Sequence, residues 1–94
     1  MYFKTNAPIP EILRNSLNEI LEKRDYTIIA MKKDMASEAV IGELLNGAKI
    51  SEDTVATVYE LIRYGMAKCD KITGLYIGLK NIISTYYTKA VEVR

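Results

Sequence analysis

The sequence predicts a single all-α domain of five helices, on three observations. Apolar residues recur at helical spacing along most of the chain. Residues that start helices precede those runs, and glycines close two of them. The chain has 94 residues and no linker-like or low-complexity segment, which suits one core and no internal boundary.

Pro8 and Pro10 mark an extended lead-in and a helix start. The first helix is expected over about residues 10–24. Ile9, Leu13, Leu17 and Ile20/Leu21 lie on its apolar face, with Arg14, Asn18, Glu19 and Lys23 among the residues facing water. Thr27 is the expected N-cap of a two-turn second helix with Ile28, Met31 and Met35 inward and Lys32, Lys33 and Asp34 outward. Ala36-Ser37 then forms a tight turn, and Ser37 caps a third helix running to about Asn46. Val40, Ile41, Leu44 and Leu45 face inward from it, and Gly47 takes the left-handed position that ends it.

Ser51 caps the fourth helix. Glu52 and Asp53 occupy its first turn, where the helix dipole favours negative charge. Val55, Val58, Leu61 and Ile62 form its buried stripe, and Gly65 is the expected stop. Ile72, Leu75, Leu79, Ile82 and Tyr86 mark a fifth helix over about residues 70–87. The tail, Tyr87–Arg94, is rich in β-formers. It either extends that helix or forms a short strand paired with Tyr2-Phe3-Lys4.

Composition removes several function classes. The chain has no histidine and only one cysteine, Cys69. Ser-His-Asp and Cys-His nucleophile systems are therefore excluded within it, as are a Cys/His zinc site and an intramolecular disulfide. Glu52-Asp53 reads as helix-start charge, and Asp34 and Glu38 as solvated groups, so no carboxylate pair suggests an enzyme. Gly42–Lys49 lacks the Gly-Lys-Ser/Thr order of a phosphate loop. No catalytic residue, cofactor or metal is expected. A lone cysteine, the absence of a signal-peptide region and the lack of any long apolar run point to a cytoplasmic, non-membrane protein.

The order of features from Tyr26 to Gly65 carries a resemblance. Thr27 and Ser37 open successive helices, and Met31 and Met35 fall where leucines pack. Ala36 stands in the turn, one residue short, where a glycine is usual. Ile41 and Leu44 are buried positions, Asn46-Gly47 is a polar-Gly end, and Ser51, Thr54, Val55 and Val58 open the next helix without the usual proline. Tyr64-Gly65 closes it. In these residues the chain resembles the lambda-repressor-like helix-turn-helix family, which includes the Cro proteins.

The resemblance implies a small phage- or plasmid-type DNA-binding transcriptional regulator, a homodimer through its C-terminal part. Two recognition helices would enter half-sites about one DNA turn apart. Carried onto this chain, it implies DNA contacts from Lys32, Lys33, Ser37, Glu38, Ala39, Asn46 and Lys49. The exposed residues expected on the third helix are Glu38, Ala39, Gly42 and Glu43, whereas base edges are usually read by Arg, Lys, Asn or Gln. The net charge of +1 and sequence pI near 7.8 also fall below the basic range of dedicated nucleic-acid binders, a domain pI above about 9.

The same scaffold could instead serve as a protein-binding module, such as a phage-encoded inhibitor or adaptor. Seven tyrosines, five of them in the second half, either edge the core or form a partner surface. The candidate residues for a dimer or partner interface are Gly74, Tyr76, Ile77, Gly78, Ile83, Tyr86 and Tyr87.

Overall fold

A computed structural model describes residues 3–71 and 77–93. The described residues are all-α, with no strand. Helix α1 spans Glu11–Ile20, α2 Lys23–Ala30, α3 Glu38–Leu45, α4 Val55–Lys71 and α5 Ile77–Val93; a 3-10 turn, Glu52–Thr54, leads into α4. Ile72, Gly74, Leu75 and Tyr76, with Tyr2, lie outside the described residues.

Helix α4 is the hub, packing against α5, α1 and α2. Helix α1 also packs on α5 and α3, and α2 on α3. Into the shared core α1 sends Leu13, Leu17 and Ile20, α3 sends Ile41, Leu44 and Leu45, and α4 sends Val58, Leu61 and Ile62. These are the inward positions that helical spacing predicts. Two local signals also match: Ser37 Oγ accepts from the Val40 amide at the start of α3, and Gly47 has φ of 103° just beyond its end.

Three boundaries between α1 and α3 differ from expectation. Helix α1 stops at Ile20, and α2 starts at Lys23 rather than at Thr27. Leu21 and Glu22 are extended between them, and Glu22 caps α2 in a reciprocal box with Asp25. Thr27 therefore sits inside α2. The connection from α2 to α3 runs from Met31 to Ser37 and is not a tight Ala36-Ser37 turn. Asp34 takes a left-handed conformation in it, φ 64°, which a short polar side chain tolerates. The Ala36 amide donates to the buried Thr57 hydroxyl of α4 at 3.0 Å, which pins this connection to the hub.

Gly65 does not stop α4, which continues to Lys71. Gly65 instead lets α1 and α5 approach: a Cβ there would stand 2.9 Å from Leu17 Cδ2 and 3.6 Å from Ile83 Cδ1. Gly42 and Gly78 have nothing within 4 Å of such a Cβ. Replacing helical glycine by alanine gains about 1 kcal/mol of propensity. Gly42→Ala, inside α3, should therefore raise stability by roughly 0.5–1 kcal/mol in urea denaturation, and Gly78→Ala, in the first turn of α5, should gain less. Gly65→Ala should lose stability, because overpacking costs about 1–3 kcal/mol and offsets the gain. A stabilising Gly65→Ala would contradict the close packing described.

The tail is helical to Val93, so it offers no strand to the N-terminus. Helix continuation wins because Ala90 is fully buried and Ile83, two turns earlier, shares its inward side. The lead-in pairs elsewhere: the Asn6 amide donates to Ile50 O, the Ile50 amide donates to Ala7 O, and Pro8 and Lys49 form an isolated antiparallel bridge. Phe3 is buried edge-on against Tyr59, with ring centroids 5.5 Å apart.

Candidate functional site

The rotation of α2 decides what the surface presents. With Lys23 as its first residue, Asp25 and Ile29 lie one turn apart and face inward, 3% and 0% exposed. Ile28 and Met31 are consequently turned outward, 46% and 81% exposed, against their expected place in the core.

Asp25 anchors α2 to α4. One carboxylate oxygen accepts from the Tyr64 hydroxyl at 2.7 Å. The other accepts from Lys68 Nζ at 2.6 Å and from the Glu22 amide at 2.7 Å. Burial pushes the Asp25 carboxyl up, but the Lys68, Glu22 and Tyr64 hydrogen bonds and the Lys68 charge outweigh it and hold the group below the usual carboxylate range. Burial and the bond to Asp25 push the Tyr64 phenol up to about 12. These residues border a cleft of about 310 Å³ between α2 and the C-terminal half of α4, lined also by Arg24, Ile28, Ala67 and Lys71.

The residues that the resemblance assigns to DNA sit in different settings. Lys32 points to α4, where it pairs with Glu60 and sits 5.6 Å from the centre of the Tyr64 ring. Arg63 shares that carboxylate at 2.9 Å. Burial raises the Glu60 carboxyl, and the hydrogen bonds from Arg63 and Lys32 bring it below its ordinary value. Lys32 is thus part of the tertiary ion network rather than a purely solvated residue, its side chain 37% exposed. Ser37 is occupied as the α3 cap, and Lys33, Asn46 and Lys49 are exposed. Glu38 and Ala39 border a more open groove with Gly42 and with Lys23 and Tyr26 of α2. In that groove one cation meets one carboxylate, and no side chain projects from Gly42.

The C-terminal candidates are also divided. Ile83 is fully buried in the core, which corrects its assignment to an outer face. Tyr86 and Tyr87 are half-buried and pack on the core, as do Tyr59 and Tyr64. Ile77 and Gly78 are exposed, but the outward positions that follow on α5 are mostly polar: Asn81, Thr85, Thr88, Lys89 and Glu92. Among the described residues no group of acidic or cysteine side chains could hold a metal ion, and no helix is long and apolar enough to cross a membrane.

Comparison of the chain with protein families, curated proteins and solved structures finds no match. The Asp25–Tyr64–Lys68 cluster escapes sequence reading because its members lie 39 and 43 positions apart. The one local signal is Glu22 with Asp25 three residues later, a capping-box spacing with an unusual cap residue.

Proposed function

We propose that this chain is a protein-binding helical module whose partner docks on the outer face of α2. The reading rests on the outward placement of Ile28 and Met31 beside the α2–α4 cleft. Single exposed apolar residues are ordinary, but Ile28 of α2 and Met31 just past its end stand beside a cleft lined also by Ala67 and form a patch of the kind partners cover. An unbranched methionine adapts to a partner surface, and a helix face of this kind suits side-by-side helix recognition.

Two features weigh this reading above the DNA-binding regulator that the resemblance implies. Lys32 is engaged with Glu60, and the outward side of α3 carries Glu38, Ala39 and Gly42. Phosphates meeting Glu38 would be repelled, and Ile28 and Met31 offer a phosphate backbone nothing.

Affinity capture from the native host with the wild-type chain and an Ile28→Asp/Met31→Asp variant tests the proposal. The variant should keep its stability within about 0.5 kcal/mol, as expected for exposed sites, and lose the captured protein by at least about tenfold. A partner held equally by both chains would overturn it. So would salt-sensitive binding of duplex DNA that disappears when Lys23, Lys33 and Lys49 are replaced, with no protein captured; that result would establish the regulator instead.

A further inference from the structure

The charges around the α2–α4 cleft narrow the partner's chemistry. Arg24, Lys68 and Lys71 line it. Asp25 is turned inward and engages Lys68, so that pair cancels within the fold. Glu22 lies 3.4 Å from Arg24 and 3.8 Å from Lys68, and the Arg24 and Glu22 side chains are 81% and 64% exposed. Such an exposed pair is worth at most about 1 kcal/mol, so Arg24 can exchange it for a partner's carboxylate. Lys71 has no carboxylate of the described residues within ion-pair distance. Three cations against two carboxylates leave one positive charge, carried at the exposed end of α4 in a cleft lined also by Ile28 and Ala67.

Size and continuity distinguish a peptide from a small anion. The cleft, about 310 Å³, lies at the bottom of the range for small-molecule sites, roughly 300–1,000 Å³. That volume seats a side chain or two. The apolar surface does not end there, because Met31, almost one turn beyond Ile28, is the more exposed of the two and does not line the cleft. An occupant that covers both must be a chain that runs along α2.

We infer that the partner presents an acidic amphipathic segment. It places an apolar side chain between Ile28 and Ala67, a second over Met31, and carboxylates against Arg24 and Lys71. This inference rests on the reading of α2 as the docking face. It adds the charge and pattern of the partner, and its recognition is helix-in-groove with a steering rim.

Panning a displayed library of random short peptides separates the two levels. The bait is the full chain in three forms: wild type, Arg24→Glu/Lys71→Glu and Ile28→Asp/Met31→Asp, each checked for unchanged helicity by circular dichroism. Peptides enriched on the wild type should be rich in Asp and Glu between apolar residues at helical spacing. They should bind the Arg24→Glu/Lys71→Glu chain about tenfold more weakly, and the affinity for wild type should fall with added salt. Enriched peptides that are neutral or basic, or that bind the charge-reversed chain as well as wild type, overturn the acidic partner while leaving the α2 face intact. Peptides indifferent to Ile28→Asp/Met31→Asp, or no enrichment at all, overturn both.

Discussion

Asp25→Ala is expected to cost about 3 kcal/mol of folding stability. Removing one member of a buried ion pair typically costs about 3–5 kcal/mol, because the other charge stays behind without compensation. The lower end applies because Lys68 keeps 18% of its side-chain exposure and can turn toward water. The Tyr64 hydroxyl and the Glu22 amide also lose their acceptor, and with them goes one half of the box that starts α2. For a domain of this size the loss corresponds to a fall in Tm of roughly 12–24 °C. Asp25→Asn, which keeps an acceptor but not the charge, should lose less. Equal losses for the two variants would show that the charge contributes nothing.

The same cluster predicts a pH dependence with a definite sign. The Asp25 carboxyl is held below its ordinary value of about 3.9, so the unfolded chain binds its proton first. Its contribution is fully present above that pH and is lost as pH falls through the folded value. The Tyr64 phenol is held up at about 12, against about 10 when unfolded. Its contribution is intact below pH 10 or so and declines between the two values. Urea titrations across pH should show both limbs for the wild-type chain. Asp25→Ala should flatten the acid limb and reduce the alkaline one; an unchanged acid limb would mean that other carboxylates carry it.

Ile83→Ala is expected to cost about 2–5 kcal/mol, the range for truncating a large buried aliphatic side chain. Ile83 is fully buried at the junction where Gly65 admits both Leu17 of α1 and α5. A Leu17→Ala companion should couple to it, since residues that share a contact depart from additivity by about 0.5–3 kcal/mol. The cost at Ile83 should be the same at dilute and concentrated protein. A loss that grows on dilution would place Ile83 in a contact between copies and contradict its position in the core.

The apolar periodicity of α1, α3 and α4 was legible because the spacing of Leu13 with Leu17, Ile41 with Leu44, and Val58 with Leu61 and Ile62 admits one inward face. Ser37, Gly47 and Ser51 were legible for a similar reason: each acts through backbone geometry within a few residues. The candidate site was not legible. The rotation of α2 about its axis decides which of Ile28 and Ile29 is buried, and both are equally apolar. Thr27 is the better N-cap by propensity, yet Glu22 takes the role because Asp25, three residues on, is fixed from outside by Tyr64 and Lys68. Likewise, glycine at position 65 reads as a stop in isolation, but α4 runs on to Lys71 and the glycine serves packing, since Leu17 fills the space that a side chain would need.

The sequence by itself determined an all-α chain, most of its core and the exclusion of histidine-based nucleophile systems and of a Cys/His zinc site within these residues. Only the tertiary structure decided which face of α2 meets solvent, that Lys32 serves Glu60, and that a cationic cleft opens beside Ile28. The physical reason is that helix rotation and charge pairing depend on partners tens of residues distant. A buried carboxylate outweighs local capping preference once Lys68 and Tyr64 are brought to it.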